Sequence, residues 1–223
     1  MTTKYNNKTG QVVSKERVSD HGEVFTSARE VNAMLDLVKH ETERIDSRFL
    51  EPACGHGNFL MEVLQRKLTI VESKYGKNQL EFERYAIIAI GSIYGIDILK
   101  DNVEDCRGRL LSLFNVKYTE LYKASCKSEC STAVKYILSK NIVWGDALTL
   151  TTVCDKKEAI VFPEWSPVNG SMIKRRDFAF HALLTSAHNN DLPLFSDLGE
   201  DAFIPEPVKE YPLTNFLRLA DAE

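Results

Sequence analysis

Phe49-Leu50-Glu51-Pro52-Ala53-Cys54-Gly55-His56-Gly57-Asn58-Phe59-Leu60 decides the reading of this 223-residue chain. An apolar β-forming pair leads into an acid and a proline, then Gly-x-Gly, then helical periodicity through Phe59, Leu60, Val63 and Leu64. That order spells a strand, a tight glycine turn and a helix start. It is the arrangement that holds a nucleotide-like cofactor against a doubly wound sheet. Gly55 and Gly57 lack the Cβ atoms that would keep a ligand off the backbone, and both permit positive φ. A structural turn explains an isolated Gly-x-Gly equally well, so the surroundings must decide.

Working outward, the first strand is expected over 48–53 and a helix over about 58–67, followed by an insertion-like stretch of helix formers at 68–91. A second strand is expected at 92–98, and a long helical region covers about 100–138, broken near Asn115-Val116-Lys117. A third strand at 141–144 is closed by Gly145-Asp146, and a fourth is expected at 158–162. Strands alternating with helices imply an α/β fold with parallel pairing and right-handed crossovers. Upstream, 25–44 reads as a helix capped by Thr26 or Ser27. Glu30 sits in capping-box position, and Val31, Met34, Leu35 and Val38 form an apolar stripe.

The pattern changes at Phe162. Six of the seven prolines lie beyond it. Val168-Asn169-Gly170-Ser171 signals a hairpin between 162–168 and 172–180. The remainder reads as an irregular wrap ending in a short helix at 213–219. Three segments result: a polar arm at 1–21, a cofactor-binding domain at 22–162, and a hairpin with a Pro-rich acidic segment at 163–223.

A cofactor site at the carboxyl edge of such a sheet needs a glycine turn, an acid for ribose hydroxyls and a polar group for a base edge. Glu51, Asp97 and Asp146 each end an expected strand at that edge. Singly, Asp97 reads as a helix N-cap and Asp146 as a turn residue. Jointly they outline a site. Asp97 stands about forty residues beyond the glycine turn, against about 20 in the dinucleotide fingerprint, and the helical stretch at 68–91 accounts for the difference.

Glu51-Pro-Ala-Cys-Gly-x-Gly-x-Phe-Leu60 closely resembles the S-adenosyl-L-methionine (SAM) loop of amino-DNA methyltransferases, in particular adenine-N6 enzymes of restriction–modification systems. Gly22-Glu-Val-Phe-Thr-Ser-Ala-Arg-Glu-Val31 with Met34 looks like their first motif, roughly Gly-x-Phe/Tyr-Thr-Pro, with Ser27 in place of the proline. The resemblance implies a Rossmann-like methyltransferase sheet, whole or truncated, with SAM as cofactor. It implies that Phe25, Thr26, Glu51, Pro52, Ala53, Gly55, Gly57, Asp97, Ile98, Asp146 and Ala147 hold SAM, with Phe25 and Thr26 at the methionine end.

One departure stands out. The family places Asn/Asp-Pro-Pro-Tyr/Phe after the fourth strand, to hold and stack on a flipped base. This chain has Phe162-Pro163-Glu164-Trp165-Ser166-Pro167 there instead. Trp165 is the candidate for stacking on the acceptor and Glu164 for accepting from its amine. The competing reading puts Trp165 in the core and Glu164 on a solvated face.

Composition narrows the partners. Net charge is −4, and from Ala187 to Glu223 eight acids face two basic residues. DNA would repel that segment, so the isolated chain is expected to bind DNA weakly, with a specificity or second modification subunit supplying recognition. Lys174-Arg175-Arg176 reads as a solvated strand or turn, with a phosphate contact as the alternative. Five scattered cysteines suit a reduced cytoplasmic setting. Cys126 and Cys130 have no second ligand pair, so no metal is expected. No apolar run approaches the roughly 20 residues that cross a bilayer, and no membrane association is expected. His56 reads as a tolerated turn position. Three functions remain open: adenine-N6 DNA methylation, a catalytically silent SAM-binding regulatory or assembly subunit, and methylation of RNA, protein or a small molecule.

Overall fold

The computed structural model describes residues 26–189 and 205–221. Helix α1 (Ala28–Leu37) opens it, followed by the single turn α2 (Lys39–Thr42). Ser27 caps α1: its Oγ accepts from the Glu30 amide at 3.4 Å, and Glu30 accepts from the Ser27 amide at 2.9 Å. Val31 and Leu35 are buried, whereas Met34 and Val38 stay exposed, so the apolar stripe is narrower than its sequence suggests.

Strand β1 (Phe49–Glu51) leads into α3 (Asn58–Tyr75) and α4 (Gln79–Gly91), then strand β2 (Ile93–Asp97). Helices α5 (Lys100–Tyr122) and α6 (Ser128–Asn141) return the chain to β3 (Ile142–Asp146), against which the two-residue β4 (Thr151–Thr152) pairs. β1, β2 and β3 are parallel neighbours in sequence order, and β4 joins β3 antiparallel. Phe49 aligns with Ile93 and Asp97 with Trp144, so the turn after β1 and the ends of β2 and β3 share one sheet edge.

Strands β5 (Val161–Pro167) and β6 (Met172–Ala179) form an antiparallel hairpin, followed by α7 (Phe180–Asn189). Two short strands, β7 (Lys209–Glu210) and β8 (Thr214–Asn215), both pair with β6 before a 3₁₀ turn at Phe216–Asp221. The molecule is thus mixed α/β with parallel and antiparallel pairing.

Side-chain parity on β2 assigns the two faces. Ile93 joins Leu60, Leu64, Ile87, Phe114 and Val134 in the larger core, beneath the helices that follow β1 and β2. Tyr94 and Ile96 face the other way and pack on Ile160, Phe162 and Phe180. Residues at the open end of the hairpin therefore pack on the sheet face that the larger core leaves open. Trp165, Ile173, Phe216 and Leu219 also belong to the larger core. Residues of 163–223 thus share a core with those of 22–162.

Three sequence expectations need correction. The strand expected at 158–162 does not continue the parallel sheet; Val161–Pro167 pairs with β6 in a second sheet. Pro163 and Pro167 have no N–H to donate, which restricts that strand to a sheet edge. The break expected near Asn115 is absent, because Leu110, Phe114 and Tyr118 form one buried stripe that holds α5 together to Tyr122. The helix expected over 58–67 runs on to Tyr75, with Leu68 and Val71 buried. No helix among the described residues is long and apolar enough to cross a membrane.

Candidate functional site

A cleft of about 600 Å³ opens at the carboxyl edge of β1, β2 and β3. Its volume falls in the range of small-molecule sites. Thr26, Glu51, Pro52, Ala53, Gly55, Asp97, Ile98, Asp146 and Ala147 line it, alongside Cys54, His56, Asn58, Phe59 and Met34. Nine of the sequence-expected cofactor residues thus surround one cavity. Gly57 stands behind it rather than in its lining, and Phe25 lies outside the described residues.

The two glycines of the turn do different work. Both have positive φ, +50° at Gly55 and +80° at Gly57. A Cβ built on Gly57 would sit 2.5 Å from Sγ of Cys106, so this glycine lets the turn press against α5. A Cβ on Gly55 would meet nothing within 4 Å. Gly55 keeps space open on the cleft side.

Asp97 fastens the turn to the sheet. Its Oδ2 accepts the Gly55 amide at 2.8 Å; its Oδ1 accepts the Leu99 amide at 2.8 Å and Asn102 Nδ2 at 3.2 Å. A carboxylate offers about four acceptor positions, so three donors leave room for a ligand hydroxyl. Asp97 is therefore both N-terminal anchor for α5 and a candidate ribose acid. Trp144 Nε1 donates to the Ile98 carbonyl at 2.9 Å, which ties the segment after β2 to β3.

The other two acids differ in environment. Burial raises the Glu51 carboxyl above its ordinary value, against the lowering pull of the Ala53 amide. Asp146 is held low, chiefly by the Leu148 amide at 2.8 Å, with Thr149 adding a further donor. Beyond Asp146, Leu148 lies 95% exposed on the rim, and Met34 and Ile98 are further large, exposed apolar side chains lining the cleft.

Sequence reasoning missed the support on α5. Asn102, Asp105, Cys106 and Arg109 follow the i, i+3, i+4, i+7 spacing of one helix face. Asn102 meets Asp97, and Asp105 Oδ2 lies 2.7 Å from Nδ1 of His56. Cys106 receives Gly57, and Arg109 Nη1 donates to the His56 carbonyl and to Asn58 Oδ1. That spacing was visible directly after the second strand.

Glu164 and Trp165 are not among the residues lining the cleft. Trp165 is 7% exposed, its ring against Gly91 and its Nε1 donating to Asn141 Oδ1 at 2.9 Å. Gly91 lies two residues before β2 and Asn141 directly before β3, so the indole sits at the sheet end opposite the cleft. Glu164 is engaged by Arg48 from before β1 and by Arg176 from β6. Side chains alternate along β5, so Glu164 and Trp165 point to opposite faces, and Trp165 enters the helical core. The Lys174-Arg175-Arg176 cluster is likewise bound internally: Lys174 pairs with Glu210, Arg175 with Asp177 and Arg176 with Glu164. Among the described residues no group of three or more His, Cys, Asp or Glu could hold a metal ion.

Comparison of the chain with family models, with curated proteins and with solved structures produced no match.

Proposed function

We propose that this chain is a SAM-binding protein of the Rossmann-like methyltransferase type, serving adenine-N6 DNA methylation in a restriction–modification context. The observation that carries the reading is the charge of the cleft. Glu51, Asp97 and Asp146 line it, and among the described residues no lysine or arginine does. A dinucleotide or nucleoside triphosphate would bring several negative charges against these acids, and like charges at that range repel. SAM brings a sulfonium and an ammonium instead, with two ribose hydroxyls for Asp97 and an adenine amine for the Asp146 edge. Bound SAM would supply an electrophilic methyl group for transfer to an amine.

Among the described residues the acceptor side has no candidate in this cleft, since Glu164 and Trp165 are committed elsewhere. The reading therefore assigns acceptor recognition to a partner subunit. A second reading, a silent SAM-binding regulatory or assembly subunit, is favoured by the same burial of Trp165. Methylation of a non-DNA acceptor is a third reading.

Titration calorimetry with SAM and S-adenosylhomocysteine tests the cofactor reading, and absence of binding to folded protein overturns it. Incubation with tritiated methyl-SAM and DNA, RNA or protein acceptors, with and without co-purifying subunits, separates the three functions. Transfer to adenine supports the first, transfer to another acceptor the third, and binding without transfer the second.

A further inference from the structure

We propose that Arg66, on α3, is a positioning residue for the cleft: it fixes the rotation of α1 and so holds Met34 in the cleft lining. The inference rests on the SAM reading for the identity of the ligand. Arg66 itself is not among the residues that line the cleft.

α1 has little apolar surface with which to seat itself. It is 10 residues long, and its buried side chains are Val31 and Leu35. A helix of that length is marginal in water by itself, so its place depends on tertiary contacts. Arg66 meets it at two side chains one turn apart. Its Nη2 donates to Asn32 Oδ1 at 2.8 Å and to the Asn32 carbonyl at 3.4 Å, and lies 2.8 Å from Asp36 Oδ1. Glu62, one turn back on α3, accepts from Nε at 3.4 Å and orients the guanidinium. The Arg66 side chain is only 18% exposed, whereas Asp36 is 65% exposed. Removing the arginine therefore leaves Asp36 in water rather than stranding a buried charge.

The placement of these contacts around α1 gives them a consequence at the cleft. At about 100° per residue, Asn32 and Asp36 stand on one flank of the Val31–Leu35 seam and Met34 on the other. Holding one flank fixes the turn of the helix about its axis, a freedom that a seam of two side chains restrains weakly. Thr26, just ahead of α1, and Met34 line the cleft together with Asn58 and Phe59 from the start of α3. Arg66 stands two turns further along α3. One helix thus carries part of the cleft lining and the clamp that seats its neighbour.

Two measurements test this. Amide hydrogen exchange on the ligand-free protein reads the seating of α1 directly. Arg66→Ala should speed exchange in α1 by roughly 10- to 100-fold, as for a lost hydrogen bond to a charged group, and leave β2 unchanged. Unchanged exchange in α1, or equal acceleration in α1 and β2, would overturn the proposal. Calorimetry with SAM then compares wild type, Arg66→Ala, Met34→Ala and the double variant. Arg66→Ala should weaken SAM by about tenfold. Met34→Ala should also weaken it, and the double variant should lose little more than Arg66→Ala, because Met34 has already left its place. Unchanged affinity in either single variant, or losses that multiply in the double variant, would overturn the proposal and leave the cofactor reading intact. Wild type that binds neither SAM nor S-adenosylhomocysteine would overturn both.

Discussion

The amide of Gly55 donates to Oδ2 of Asp97 at 2.8 Å, joining the turn after β1 to the end of β2. The bond sets an acid and a positive-φ glycine side by side in one cleft wall. Asp97→Ala should orphan the Gly55, Leu99 and Asn102 donors. An unsatisfied buried partner costs about 1–3 kcal/mol, and losing the ribose acceptor weakens SAM by roughly 10- to 100-fold. Asp97→Asn should fall between, keeping Oδ1 while its amide opposes the Gly55 N–H. Unfolding midpoints and calorimetry measure the two effects separately. Unchanged affinity in a folded Asp97→Ala protein would remove Asp97 from the ligand's surroundings.

The two turn glycines should respond differently to the same alanine. At Gly57 the new methyl would stand 2.5 Å from Cys106 Sγ, in a backbone conformation that L-residues avoid. Gly57→Ala should lower stability by several kcal/mol, since the clash adds to roughly 1–2 kcal/mol for left-handed backbone. At Gly55 only the backbone term applies, because the methyl would enter open space. Gly55→Ala should fold, melt slightly lower, and bind SAM at least about tenfold more weakly by occupying ligand volume. Equal melting temperatures for the two variants would contradict this division.

Much of the site was legible because it depends on local chemistry. Gly55 and Gly57 announce a turn, and Asp97 and Asp146 end strands whose apolar runs are short and plain. Asn169-Gly170 announced the hairpin for the same reason. What could not be read locally was partnership. The run at 158–162 has strand composition whichever sheet it joins, and only the missing amides of Pro163 and Pro167 hinted at an edge. Trp165 is compatible with stacking on a base or filling a core until its neighbours Gly91 and Asn141 are placed in space. Asn115 looked like a break because helix propensity is weak there. Burial of Phe114 and Tyr118 on the same face overrides it.

Glu51 gives the cleft a dependence on pH. Its carboxyl is raised above 4.5, mainly by burial. Below 4.5 it is protonated whether folded or unfolded; as pH rises through the raised value, the folded chain must ionise a buried acid and loses stability. A cationic ligand supplies the missing counter-charge. SAM binding should therefore release protons and strengthen as pH rises through the window that opens above 4.5. Calorimetry in buffers of different ionisation enthalpy would count the protons. Glu51→Gln should flatten the profile, weaken SAM at neutral pH and stabilise the unliganded protein there. A profile that is already flat in wild type would separate Glu51 from the ligand's charge.

Trp165 decides whether chemistry on an acceptor can involve this hairpin. Its ring packs within the larger core, so close to Gly91 that an added Cβ there would stand 3.1 Å from Cδ1, and its N–H is taken by Asn141. Trp165→Ala should lower the unfolding midpoint as a large-to-small core change of about 3–5 kcal/mol does. Trp165→Phe keeps most of the packing but leaves Asn141 Oδ1 without its donor, at about 1–3 kcal/mol. Gly91→Ala should act from the other side of the same contact, forcing the indole outward. None of these changes touches the cleft, so SAM affinity of the folded variants should stay within about twofold, as for independent distant sites. Any methyl transfer should likewise follow the folded fraction. A Trp165→Phe protein that remains fully stable and binds SAM normally, yet transfers no methyl, would place the indole at the acceptor and reverse the assignment.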